Sequence, residues 1–294
     1  MTTANQHLQS KSKTIPIQDV KVIAVTGGKG GVGKTSVSFN TAIALAKAGK
    51  KVLILDADFG LANIDVMFGT RARKNLSHVV SGQCTLAEVL LPGPYGIQVI
   101  PSASGMLSMT SLSQQQQVGL IHAFSDLQDT YDVLLIDTAA GISNQVLNFS
   151  YASQHVVLVV CDDPSSITDA YALMKLLKNR YQVSHFKLVV NMIRDLSSGV
   201  DVYLRIKKVA ELFLDVVIEL VATVPFDENL RQAIRCQKPV VDMFPSTPSC
   251  FAFNNLAKQV NSWPTPHHRA GHITFFMERL MSHQSHFDEG LYCD

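Results

Sequence analysis

The stretch Gly28-Lys29-Gly30-Gly31-Val32-Gly33-Lys34-Thr35 constrains this chain more than any other. It fits the pattern G-x-x-x-x-G-K-[S/T]. It stands between a short apolar run, Val20 to Thr26, and a helical pattern from Thr35 to Ala48 that Gly49 closes. Strand, loop, then helix is the setting a phosphate-binding loop requires. Glycines let consecutive backbone N–H groups converge on phosphate oxygens, and the start of a helix adds favourable potential for an anion. Gly28, Lys29, Gly30, Gly31, Val32, Gly33, Lys34, Thr35 and Ser36 are therefore the candidate phosphate contacts. Among them Lys34 is expected to neutralise the terminal phosphates and the Thr35 hydroxyl to bind Mg2+.

The rest of the chain repeats the alternation. Apolar runs at Val52 to Asp56, Ile97 to Ile100, Val133 to Asp137, His155 to Cys161, Phe186 to Asn191 and Val216 to Val224 read as strands. Helical patterns lie at Gln114 to Leu127, Ile167 to Asn179 and Val200 to Phe213. Apolar strands joined by helical crossovers predict an α/β fold with a doubly wound, mainly parallel sheet and helices on both faces. Ligands of such sheets bind beyond the carboxyl ends of the strands. Those ends carry Gly27-Gly28, Asp56-Ala57-Asp58, Asp137-Thr138 and Asn191, which suits one shared site. Residues 1–18 read as a polar flexible arm, 19–264 as the folded unit, and 265–294 as a tail with a short amphipathic helix.

Composition excludes several functions. Charge is balanced, 25 Lys and Arg against 24 Asp and Glu. A chain that coats nucleic acid shows a basic excess, so direct DNA binding is not expected. The five cysteines, Cys84, Cys161, Cys236, Cys250 and Cys293, form no C-x-x-C pair, which argues for free thiols in a reducing compartment rather than an iron–sulfur or zinc site. His267, His268 and His272 read as solvated tail rather than metal ligands. The N-terminus lacks an apolar signal region, and no run is long enough to span a bilayer, so the expected location is the cytoplasm.

Two carboxylates complete the chemistry. Asp137 follows four apolar residues and is expected to hold Mg2+ through water. A carboxylate beside phosphate is repelled by it, so Asp58 at its strand end needs a metal or water role. Asp56 has two readings, supporting the Mg2+ site or only capping the turn.

Lys29 is the unusual residue. With it the loop resembles that of the MinD/ParA family of deviant Walker A ATPases, which reads KGGxGKT. That resemblance implies ATP as ligand, with the early lysine reaching ATP bound by the other subunit of an ATP-state homodimer, so that Lys29 joins Lys34 and Asp58 in catalysis. The segment Asp56-Ala57-Asp58-Phe59-Gly60-Leu61-Ala62-Asn63-Ile64-Asp65 is similar to the family's switch I, and Asp137-Thr138-Ala139-Ala140-Gly141 to its switch II. By that likeness Asp58 orients or deprotonates the attacking water, and Asn63 supports the γ-phosphate. Asn191 stands where the family reads adenine. Val224-Pro225-Phe226-Asp227 is similar to the loop across the base, where the backbone of Pro225 and Phe226, with Asp227, closes the pocket. Asp163 aligns with a residue that touches the partner's ribose. For Asn191 and Asp227 turn chemistry is the competing role.

The resemblance covers about residues 21–264. Within the family the chain is most similar to the FlhG/FleN group of flagellar-number regulators, over stretches that include Ser166-Ile167-Thr168-Asp169-Ala170-Tyr171-Ala172-Leu173 and the tail segment from Gly271 to Leu280. It implies slow, switch-type turnover, antagonism of a FleQ-type transcription activator, and work opposite the FlhF GTPase at the cell pole. One departure is that the DQAxxLR motif by which many such proteins stimulate FlhF is missing. Residues 1–20 offer only Asn5-Gln6-His7-Leu8. The alternatives within the family are a MinD-type membrane-positioning ATPase and a ParA-type partition ATPase.

The tail bears on the first alternative. Ile273, Phe276, Met277, Leu280 and Met281 form an apolar helical stripe. A membrane-surface helix carries a Lys- and Arg-rich polar face, whereas this one offers Arg279 beside Glu278. The stripe is therefore expected to dock on the protein's own core or a partner rather than on the inner membrane.

Overall fold

A computed structural model of the 294-residue chain describes residues 20–58, 64–67, 69, 72–101, 112–127, 130–264 and 273–282. The first half runs β1 (Lys21–Thr26), α1 (Lys34–Lys47), β2 (Val52–Ala57), α2 (Ile64–Met67), α3 (Leu76–Val80), β3 (Leu91–Pro92), β4 (Gln98–Ile100), α4 (Gln114–Ser125), β5 (Val133–Thr138) and α5 (Asn144–Ala152). The second half runs β6 (His155–Cys161), α6 (Pro164–Tyr181), β7 (His185–Ile193), α7 (Leu196–Leu214), β8 (Val217–Pro225), α8 (Glu228–Arg235), α9 (Val240–Met243), α10 (Pro248–Ser262) and α11 (Ile273–Ser282).

The strands form one eight-stranded sheet in the order β3-β4-β2-β5-β1-β6-β7-β8, parallel throughout except for β3 against β4. The antiparallel edge had no sequence signal, because β3 is two residues long and one of them is Pro92, a residue that sheets confine to their edges. Period-two alternation splits the core between the two faces. Ile23, Val25, Val52 and Ile54 pack under α1 and α10. Val22, Leu53 and Leu55 point the other way, toward α4, α5 and α11. Beyond β1 the second face continues beneath α6 and α7. Burial on both faces explains why these strands are continuous apolar runs rather than alternating ones.

Helix starts differ from the sequence expectation where a cap precedes the apolar pattern. Asp163 caps α6 and Asp195 caps α7, each accepting a backbone N–H from the first turn, so both helices begin three or four residues before their periodicity becomes visible.

Helix α11 lies on the core. Ile273, Phe276, Met277, Leu280 and Met281 are all buried, the Phe276 ring stacks on Phe149 at 6.4 Å, and the Arg279 guanidinium sits 4.1 Å from the Tyr151 ring centre. Burying each such apolar side chain contributes roughly 1.5–3 kcal/mol, so leaving this groove requires an equally apolar destination. Docking on the core, one of the two expectations for the stripe, is thus what the helix does. Among the described residues no helix is long and apolar enough to cross a membrane.

Candidate nucleotide-binding site

Parallel register brings the carboxyl ends of the central strands level. Val25 pairs with Asp137, Asp137 with Asp56, Cys161 with Asn191, and Asn191 with Val224. The loop from Gly27 to Gly33 crosses above β1, between neighbours β5 and β6, which is the position a doubly wound sheet reserves for its ligand.

Two glycines are required by position. Gly33 has φ +91°, and a Cβ there would stand 2.3 Å from Asn191 Nδ2. A Cβ on Gly28 would stand 2.4 Å from the backbone of Asp169, so the loop begins in direct contact with α6. Lys34 is buried at the start of α1, its Nζ 3.4 Å from the carbonyl of Lys29. Burial lowers its pKa, and the charges of Asp137 and Asp58 act against that shift.

The Mg2+ expectation is tested by unpaired polar atoms. Asp137 is fully buried, with Oδ1 accepting from the Ser38 hydroxyl at 2.9 Å while Oδ2 is buried without a partner. The Thr35 hydroxyl lies close enough to this carboxylate to pull its pKa down. The Ser36 hydroxyl is likewise buried and unpartnered. Buried polar groups left unpaired cost about 1–3 kcal/mol each, and a metal-bound water and a phosphate oxygen are groups of the kind that would satisfy them. The residues fit the group: Thr35 and, through water, Asp137 would hold Mg2+, which when bound spreads the negative charge of the β- and γ-phosphates.

Burial pushes the Asp137 carboxyl up to about 6, against the pull of Thr35, Ser38 and Lys34. A carboxyl raised in the folded state favours folding when protonated, so its contribution falls as pH climbs from about 4 through 6. A metal ion takes the place of that proton. The Tm gained from Mg2+ with ADP, over ADP with EDTA, is therefore expected to grow from pH 5 to pH 7.5, with Mg2+ affinity losing about tenfold per pH unit below 6. Equal gains at both pH values would contradict this role of Asp137.

Asp56 performs the turn-capping role of its two readings. Its Oδ1 accepts the Asp58 N–H at 3.1 Å and its Oδ2 the Ile64 N–H at 3.3 Å, so it caps the turn after β2. Asp58 lies close enough to Lys34 and Asp137 to act on both electrostatically. Asn63, with the rest of residues 59–63, lies outside the described residues, as do residues 1–19 and His267, His268 and His272. Among the described residues no cluster of metal-ligating side chains occurs.

Beside the loop lies a cavity of about 390 Å³ whose lining includes Gly33, Ser36, Asn191, Pro225, Phe226 and Asp227, the residues expected on the base side. Asn191 donates from Nδ2 to the Val32 carbonyl at 2.8 Å, which fixes the amide and leaves Oδ1 as its acceptor. An acceptor at this point suits the 6-amino group of adenine. The Phe226 N–H is taken by the Ile193 carbonyl, so it is the half-exposed ring that borders the cavity. Asp227 caps α8 through Asn229 N and ties to Ser249 through its other oxygen. Its turn chemistry is therefore in use, although it still lines the cavity.

The cavity also takes Met192, Leu230, Arg231 and Ile234, which sequence reasoning missed. Three of these fall at i+3, i+4 and i+7 from Asp227, the face of α8 that borders the cavity, a spacing that could have exposed them. Met192 has φ +59°, a conformation with no sequence signal. Ser38, one turn after Lys34, was legible by the same i+4 rule. Asp163 does not face this cavity. Within one chain its carboxylate binds Lys29 Nζ at 2.7 Å.

A family model described as an AAA domain matches residues 20–190. The chain is 49% identical over 264 residues to the antiactivator FleN of Pseudomonas aeruginosa, covering 90% of this chain and 94% of that one. It is 38% identical over 193 residues to the flagellum site-determining protein YlxH of Helicobacter pylori, 66% of this chain and 65% of that one. Among solved structures, the septum site-determining protein MinD of Pyrococcus horikoshii, complexed with Mg-ADP, shares the fold with a TM-score of 0.64 at 22% identity, over 83% of this chain and 96% of that chain. A phosphate loop with a second, early lysine, on this sheet and in this company, has one assignment: the chain belongs to the MinD/ParA family of deviant Walker A ATPases, on its FleN branch.

Proposed function

We propose that this chain is an ATP-hydrolysing switch that dimerises with ATP and limits flagellar number by binding a FleQ-type transcription activator. The observation that carries the reading is the presence of Lys34, buried under the loop, together with Lys29, half-buried above it, in a chain 49% identical to an antiactivator. Lys34 binds the β- and γ-phosphates of its own ATP. Thr35 and Asp137 hold Mg2+, Asn191 orients the adenine, and Asp58 directs water. Lys29 completes the site of the facing subunit.

The partner is tested by pull-down of an AAA+ flagellar activator with and without ATP. ATP-sensitive capture is expected, and its absence would remove the regulatory reading. The dimer is tested with Lys29→Ala, which should bind ATP and yet remain monomeric and lose turnover. A normal ATP-dependent dimer of that variant would sink the cross-subunit role. Work alongside an FlhF GTPase, and a location in the cytoplasm or at the periphery of the inner membrane or cell pole, follow from the same reading. Burial of the α11 stripe favours the regulator over a membrane-positioning protein.

A further inference from the structure

Lys29 is not waiting in solvent. Its ammonium binds both the Asp163 carboxylate, at 2.7 Å, and the Ser165 hydroxyl, at the N-terminus of α6 in its own chain. Asp163 is also the cap of that helix, accepting the Ser165 N–H at 2.9 Å. The bond to Lys29, with those from Ser165, holds the Asp163 carboxyl down to about 2, and the Lys29 ammonium is held above its ordinary value chiefly by the same bond to Asp163. The contact of Gly28 with the backbone of Asp169 fixes the start of the loop to the same helix.

We propose that Asp163 and Ser165 form an intrachain latch that withholds Lys29 from a facing subunit and sets the ATP level at which this chain dimerises. The inference rests on the dimer reading above and concerns its regulation. The latch is weak by construction, since an ion pair exposed on both sides is worth little in water. It is also specific. A lysine ammonium beside the positive end of a helix is repelled, so Lys29 stays there because the Asp163 carboxylate supplies the opposing charge and the Ser165 hydroxyl a second acceptor. Asp163 Oδ2 is taken by Lys29 while the latch is closed, so opening it frees both charged groups in one step. Asp163 and Ser165 act through Lys29 and are positioning residues.

The test uses the full chain and the variants Ser165→Ala and Asp163→Asn, the second of which retains a good helix cap. Without nucleotide, limited acylation read by mass spectrometry should show Lys29 protected relative to the exposed Lys258. Both variants should raise Lys29 modification about two- to fivefold. With Mg2+ and a non-hydrolysable ATP analogue, light scattering should show Ser165→Ala dimerising at about two- to fivefold lower analogue concentration than the unmodified chain. Ser165→Ala is the deciding variant there, because it leaves the Asp163 carboxylate in place for the ribose. Unchanged Lys29 reactivity in both variants, or a Ser165→Ala midpoint that is unchanged or higher, overturns the latch. If the unmodified chain stays monomeric at saturating analogue, the dimer reading fails instead, and Lys29 reactivity still decides whether the latch exists.

Discussion

Lys34→Ala is expected to fold, melt within a few degrees of the unmodified protein without nucleotide, and gain no Tm from ATP and Mg2+. The side chain is buried, and burial lowers its pKa, so the folded chain holds this ammonium at a cost. Its protein contacts do not offset that cost well, since the hydrogen bond to the Lys29 carbonyl is long, at 3.4 Å. Alanine is a better helix former at the first residue of α1 and leaves no charge to desolvate. Those gains oppose the loss of four methylenes of packing, which keeps the net change small. With triphosphate the balance reverses. A charge-assisted hydrogen bond in a site shielded from water contributes about 1.5–3 kcal/mol, and removing one partner of a buried charge pair costs about 3–5 kcal/mol. ATP affinity should therefore fall by at least a hundredfold. Thermal shift across an ATP titration, with calorimetry for Kd, measures both halves. Retained affinity would refute the phosphate role, and a collapsed Tm without nucleotide would show that Lys34 is structural.

The loop was legible because its chemistry is local. Glycines, lysine and threonine at fixed spacing carry their own backbone geometry, and Gly33 shows why no other residue would serve. The strands were legible because burial on both faces writes them as unbroken apolar runs. What stayed hidden depends on long-range placement. Helix α10, Pro248–Ser262, covers β8 and α1 with a stripe that composition alone does not distinguish from a loop. Asp163 was read across a subunit boundary, whereas in one chain it serves Lys29, and no pattern near residue 163 specifies a partner 134 positions away. Asp56 is divided between metal and turn in the sequence, and only the structure places the N–H groups of Asp58 and Ile64 on its two oxygens. Residues such as Asp and Asn, which cap turns as readily as they bind ligands, are where sequence reading loses resolution.

Asp58→Ala should separate binding from turnover. Asp58 stands just past β2, partly exposed, and acts electrostatically on Lys34 and Asp137. It is the Asp58 backbone N–H that Asp56 holds, so alanine preserves the turn. ATP binding should survive and tighten slightly, because a negative charge near the phosphates is lost. Hydrolysis should drop by about 10²–10⁴-fold, the usual contribution of a positioned general base. Single-turnover phosphate release measures that drop, and light scattering with ATP should show dimers that persist instead of decaying. Asp56→Ala provides the contrast. Both Asp56 oxygens hold backbone N–H groups, so its loss should unsettle the segment after β2 and reduce Tm along with activity. A turnover defect at constant Tm belongs to a residue that handles water, and a defect that tracks Tm belongs to one that holds the turn. If Asp58→Ala hydrolyses ATP undiminished, the water-directing role passes to another group near the γ-phosphate, and the switch loses the carboxylate assigned to its timing.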